Sequence, residues 1–265
     1  MWIKQLPNKY YEHASSCYGN VMLWQNNNVY IMDNHMSAAW CWLQSCNPKK
    51  KYNFMHIDRH YDMLENFYDE DILPLRDNSH IPYEDFINLK RSKGDKEFNV
   101  FSWDNYIMAI YTIYPEWFHT NIFLTHKVGD IGNSWGHKPF NIHEVNPLYM
   151  DSLIVEYVRK HDKYLPVFKN EDYKLPWIVN LDIDVFFTET PQHIQLFSDD
   201  YIRLIAKSLN YSLRNNIQVL TIALSPDCIA GEQYKEKWDN AFRILKIMSE
   251  EIKCLKDFPF PNRNY

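Results

Sequence analysis

Glycine is scarce in this chain: 6 of its 265 residues, about a third of ordinary usage. Neither G-x-G-x-x-G nor G-x-x-x-x-G-K occurs, so a loop that cradles nucleotide phosphates has no support. Clustered cations are missing too. The net charge is −6 and the lysine triplet Lys49-Lys50-Lys51 suits a solvated turn; nucleic acid as the main partner would require a basic patch to neutralise phosphates. No stretch approaches the length of a membrane-spanning apolar run, and Met1-Trp2-Ile3-Lys4-Gln5-Leu6-Pro7 lacks the apolar core of a signal peptide, so neither membrane nor export is expected. Cysteines are few and unpaired in pattern. Cys17, Cys41, Cys46, Cys228 and Cys254 are odd in number and form no C-x-x-C, which points to a reducing, cytoplasmic setting rather than a disulfide framework.

What is present suits a soluble globular protein. Hydrophobic residues make up 46% and charged residues 23%, enough to bury a sizeable core, and the length favours a single domain over residues 1–265. Apolar runs at 29–32, 52–57, 100–102, 122–125, 177–181 and 219–224 read as strands. Helical periodicity covers 198–214, capped by Ser198 with Asp199 and Asp200 in the first turn, and 232–256, with Trp238, Ala241, Phe242, Leu245 and Ile252 on one side. Strands alternating with helices predict an α/β fold: three layers, α/β/α, around a mostly parallel, doubly wound sheet. The polar region 64–99 reads as loop and short helix.

Ligands of such sheets bind beyond the carboxyl ends of the strands. Here the apolar runs end in Asp33-Asn34-His35, His56-Ile57-Asp58, Thr125-His126, Asn180-Leu181-Asp182 and Ser225-Pro226-Asp227. Asp58, His60 and Asp62 follow one another at i, i+2 and i+4, and Asp182 and Asp184 at i, i+2, so each set can share a face. Carboxylates aimed at one point repel one another, and burying each charge costs several kcal/mol unless it is paired or coordinated. A divalent cation, or two, removes that cost. His56 shares the parity of Asp58 but lies a step deeper in its strand and reads as a structural, hydrogen-bonded histidine. Trp40, Trp42 and Cys228 read as packing residues.

Asp58-Arg59-His60-Tyr61-Asp62 resembles the D-A-H-x-D run of arginases and related ureohydrolases, and Asp182-Ile183-Asp184 resembles their second D-x-D run. His35, 23 residues ahead of Asp58, stands where that family has an isolated histidine. The phrases around His35, around Asp58 and over Ala223-Leu224-Ser225-Pro226-Asp227-Cys228 are closer still to the peptide-modifying branch. That branch converts arginine side chains of ribosomally made precursor peptides to ornithine with release of urea. The resemblance implies an arginase/deacetylase-like fold and two Mn²⁺. His35 and Asp62 would hold one ion, His60 and Asp184 the other, and Asp58 and Asp182 would bridge. It further implies a carboxylate for the guanidinium, Asp227 or in reserve Glu232, and a proton-shuttling histidine, His80 or His126. Asp104 and Asn105 follow a candidate strand and enter as possible substrate contacts, although a helix cap explains them equally well.

Three other readings compete. Hydrolysis of free arginine or another small guanidino compound would call for polar residues just after Asp62, where Met63-Leu64 stand instead. A deacetylase would carry a His-His pair, which this chain lacks. A metal-stabilised binding protein without turnover is the third.

Overall fold

The computed structural model describes residues 1–12, 15, 19–77, 80–93, 95–129, 131, 140–155, 174–190 and 192–261; Cys17 lies outside them. The strands are β1 (Trp2–Lys4), β2 (Leu23–Asn26), β3 (Val29–Met32), β4 (Asn53–Ile57), β5 (Lys90–Lys93), β6 (Lys96–Asn99), β7 (Asn121–Leu124), β8 (Ile142–Glu144), β9 (Trp177–Asp182) and β10 (Ile217–Ala223). The helices are α1 (Met36–Ser45), α2 (Asp69–Ile72), α3 (Tyr83–Ile87), α4 (Tyr106–Ile113), α5 (Met150–Leu153), α6 (Asp199–Leu213) and α7 (Tyr234–Glu251).

Eight strands form one sheet in the order β1-β2-β3-β10-β9-β4-β7-β8. From β3 to β8 every neighbouring pair is parallel, while β1 and β2 add an antiparallel edge. All residues of β3, β4 and β9 are buried, which is why these strands read as continuous apolar runs rather than alternating ones. Their side chains feed two cores. Ile31, Met55, Ile57, Val179, Leu181 and Ile222 pack with Ile202 and Leu209 of α6 and Trp238 and Leu245 of α7. Tyr30, Met32, Phe54, Ile178 and Val219 pack with Trp42 of α1 and Ile107 and Ile110 of α4. Helices thus cover both faces of a mostly parallel sheet.

The expected strand at 100–102 is not formed. Val100–Ser102 instead enters a loop closed by Asn105, whose side chain accepts from Ser102 N at 2.9 Å and donates to Val100 O at 2.9 Å. The polar region 64–99 holds the short helices α2 and α3 and also the β5–β6 hairpin, which pairs Lys90 with Asn99 and Arg91 with Phe98. α7 ends at Glu251 rather than 256, because Ile252 turns to an extended backbone (φ −81°, ψ 105°) and is buried, and a 3-10 turn follows at Lys253–Asp257. Among the described residues no helix is long and apolar enough to cross a membrane.

Candidate metal centre

The parallel strands β3, β10, β9 and β4 lie side by side, and the residues after their carboxyl ends converge. After β3, Asp33 is fully buried and accepts from Val21 N at 2.8 Å and Met22 N at 2.9 Å; burial pushes its pKa up while these hydrogen bonds oppose the shift. Asn34 Oδ1 accepts from Met36 N at 3.0 Å. This double anchoring leaves His35 at the N-cap of α1. After β4 come Asp58, His60 and Asp62. Asp62 has φ +53°, a left-handed backbone that costs a non-glycine residue about 1–3 kcal/mol and tends to cluster at functional sites. β9 ends on Asp182, whose carboxylate accepts from Asp184 N at 3.0 Å and so starts the 3-10 turn Ile183–Phe186 that presents Asp184. After β10, Ser225 is also left-handed, at φ +35°, and its hydroxyl donates to Asp182.

The six sequence-proposed ligands meet at one place. His35 Nε2 touches Asp182 Oδ2 and lies 3.4 Å from Asp58 Oδ2 and 3.9 Å from Asp62 Oδ2. His60 Nδ1 lies 3.1 Å from Asp184 Oδ2 and 3.4 Å from Asp58 Oδ1. Three overlapping groups have ligand atoms within 4.8 Å of one another: His35, Asp58 and Asp182; Asp58, His60 and Asp184; and His56, Asp58 and Asp62. Asp58 Oδ2 and Asp184 Oδ2 are buried and make no hydrogen bond of good geometry, their nearest nitrogens being His35 Nε2 at 3.4 Å and His60 Nδ1 at 3.1 Å. Four carboxylates drawn so close repel one another at low dielectric, and a divalent cation among them is a fitting partner. The donors are carboxylate oxygens and imidazole nitrogens without thiolate, a set that suits Mn²⁺ or another divalent ion of that character.

His56 has a different environment. Its Nε2 pairs with His60 O at 3.1 Å and its Nδ1 with Asn180 Nδ2 at 3.0 Å. Burial and the nearby His35 pull its pKa down to about 3, so it stays neutral and structural. Candidate ligands themselves have perturbed pKa values. Burial would lower His35, but Asp182, Asp58 and Asp62 outweigh it and hold the imidazole up to about 10. Burial opposes His60 likewise, yet Asp184 and Asp58 raise it to about 11. Burial and the neighbouring carboxylates push Asp58 well up. Asp62 rises to about 6, burial dominating. Against burial, His60 and Arg59 bring Asp184 down to about 2.

Above these residues lies a cavity of about 350 Å³ whose wall includes Ser15, Met63, Leu64, Trp103, Asp104, Asp227 and Cys228. Leu64 and Trp103 are each 38% exposed and give it an apolar rim. Asp227 and Asp104 thus line the same cavity as His35, His60, Asp62, Asp182 and Asp184. Burial raises the Asp227 pKa, opposed by Lys237 and by a hydrogen bond from the Ser15 backbone. The other proposed residues stand elsewhere. Asn105 is buried and its amide is spent on the loop described above and on Asn66 at 2.5 Å. Glu232 is exposed ahead of α7, its N–H donating to Glu236 Oε2 at 2.8 Å, and it does not line the cavity. His80 is exposed ahead of α3. His126 lines a neighbouring cavity of about 660 Å³ with Lys127 and Glu144, and burial lowers its pKa.

Two contributors carried no sequence signal of their own. Arg59 is 2% exposed. Its Nη1 donates to Thr188 O at 2.7 Å and Cys228 O at 3.3 Å, its Nη2 lies 3.6 Å from Asp184 Oδ2, and its backbone N–H donates to Asp184 Oδ1 at 3.2 Å. It fastens the loops after β4, β9 and β10 together. Tyr106 reaches the cluster from α4, its hydroxyl 3.3 Å from both His35 Nδ1 and Asp62 Oδ2.

Comparison of the chain with profiles of protein families, with curated proteins and with solved structures found no match.

Proposed function

We propose that this protein is a dinuclear manganese hydrolase of arginase/deacetylase-like fold that converts arginine side chains of a ribosomally made precursor peptide to ornithine, releasing urea. The observation that carries the reading is the convergence of His35, Asp58, His60, Asp62, Asp182 and Asp184, four carboxylates and two imidazoles, at the ends of neighbouring parallel strands. His35 and Asp62 would hold one ion, His60 and Asp184 the other, with Asp58 and Asp182 shared. Paired ions of this kind activate water as a nucleophile near neutral pH.

The chain's own residues supply binding and orientation. Asp227, on the cavity wall, pairs with the guanidinium and offsets its approach to a cationic centre. Leu64 and Trp103 at the rim contact the aliphatic stem and the flanking peptide. Water adds to the guanidinium carbon, the bond from that carbon to the side-chain nitrogen breaks, and both water protons end on the leaving nitrogen. The products are the ornithine ammonium and urea, with charge and atoms balanced.

One observation favours a second reading, hydrolysis of free arginine: the Asp104 carboxylate also lines the cavity and suits an α-ammonium group. The deciding experiment is incubation with Mn²⁺ and an arginine-containing peptide. Mass spectrometry should find the peptide lighter by the mass of cyanamide, with urea released in equal amount. A higher kcat/KM for free L-arginine than for the same residue inside a peptide would favour the second reading; no turnover of either would overturn both.

A further inference from the structure

A chain of buried hydrogen bonds runs beneath the metal cluster on the α1 and α4 face of the sheet, and it has one direction. Trp42 Nε1 donates to Thr221 Oγ1 at 3.3 Å, and Thr221 Oγ1 donates to Asn180 Oδ1 at 2.7 Å. With its oxygen so occupied, the Asn180 amide is oriented, and its nitrogen points at His56 Nδ1 (3.0 Å) and at the Tyr106 hydroxyl (2.8 Å). That hydroxyl accepts from Asn180, so its own proton is free for Asp62 Oδ2, 3.3 Å away. Its remaining lone pair receives Nδ1–H of His35, also at 3.3 Å. The imidazole of His35 is thereby held with Nε2 toward Asp58, Asp62 and Asp182. Its ring also stacks on Tyr106, centroids 5.5 Å apart and 14° from coplanar. Tyr106, Asn180, Thr221 and Trp42 are all buried, so water does not compete for these bonds.

We propose that Tyr106 is a positioning residue for one of the two metal sites: its hydroxyl orients His35 and Asp62, the two ligands belonging to that site alone, and takes its own orientation from Asn180 and Thr221. The inference rests on the metal-centre reading above. The second site, with His60 and Asp184, has no contact with this hydroxyl among those described and draws its support from Arg59. Asn180 also reaches His60 O through His56, so the chain branches to both sites, whereas the hydroxyl itself meets ligands of the first site alone; removing it should weaken one ion and spare the other. Groups that orient metal ligands in this way typically change affinity about 10- to 100-fold when deleted.

The test is Tyr106→Phe, which keeps the ring and its stack and removes only the oxygen. Metal-free native and variant proteins are titrated with Mn²⁺, free ion being followed by electron paramagnetic resonance, and melting is recorded with and without the metal. The expected result is one ion bound about 10- to 100-fold more weakly, the other unchanged, and a smaller metal-induced rise in Tm. Thr221→Val, which unfastens Asn180 and with it both the Tyr106 and the His56 branch, should not reproduce this selectivity and instead weaken both ions by a smaller factor. A Tyr106→Phe protein that binds both ions as the native protein does, whatever its metal-free Tm, would assign Tyr106 to packing alone and overturn the inference. Equal weakening of both ions by Tyr106→Phe would overturn it too. If the native protein binds no ion, the metal-centre reading itself fails, a result distinct from either.

Discussion

Asp227 and Glu232 are alike in charge and close in sequence, yet one lines the cavity and the other is exposed outside it. Asp227→Ala should therefore lower kcat/KM on an arginine peptide by about 2–4 kcal/mol, the range expected for a charge-assisted, bidentate contact, while leaving the metal content intact. Glu232→Ala should change neither. Steady-state kinetics with metal analysis of both variants checks this, and a harmful Glu232 change with a silent Asp227 change would reverse the roles. Among the ligands, Asp182 accepts from Ser225 Oγ and Asp184 N and touches His35, so Asp182→Asn should release at least one ion. The candidate ligands Asp58, His60, Asp62, Asp182 and Asp184 were legible in the sequence because they follow apolar strands at alternate positions, whereas His35 stood out as a ligand only through the family resemblance. Tyr106 was not: it opens an apolar helix, Tyr-Ile-Met-Ala-Ile-Tyr-Thr-Ile, and only the packing of α4 on the sheet brings its hydroxyl to a ligand 44 residues away. His80 and Glu232 show the converse, polar residues near a motif in sequence whose elements turn them to solvent.

At the scale of elements, the strands that read as predominantly apolar runs, β3, β4, β7, β9 and β10, were visible because both of their faces are largely buried. β1 and β8, three residues each and only partly buried, carry too little apolar pattern to stand out, and the β5–β6 hairpin is polar in sequence apart from Phe98. The loops after β4, β9 and β10 have their common fastening in Arg59, whose buried guanidinium serves Thr188, Cys228 and Asp184. Arg59→Met would leave the Thr188 and Cys228 carbonyls without that donor and remove a charge beside Asp184. Removing one member of a buried ionic pair destabilises by about 3–5 kcal/mol, and denaturant unfolding of the metal-free variant should find a loss of that order. A loss under about 1 kcal/mol would mean the loops hold their positions without it.

For the molecule as a whole, pH links fold and metal. In the metal-free protein His35 and His60 are held at about 10 and about 11 against an ordinary 6.5. A folded-state pKa raised above its unfolded value stabilises the fold fully below the unfolded value, and that contribution disappears as pH rises through the folded one. Stability of the metal-free protein from these two groups should thus be complete below pH 6.5 and lost toward pH 10 to 11. Metal needs the neutral imidazoles, so binding expels their protons and the apparent affinity rises across the same interval. Calorimetry at pH 8 in buffers of different ionisation enthalpy should find at least about two protons released per loaded chain, from the two imidazoles, with any proton on the raised Asp58 carboxyl adding to them.

The claim on which the rest depends is that six side chains build one centre for two ions. Elemental analysis of the purified protein after exposure to Mn²⁺ and removal of free metal measures it directly. The account predicts two manganese ions per chain, falling when Asp182 is replaced by Asn; a single ion that excludes a second, or one zinc alone, would contradict it.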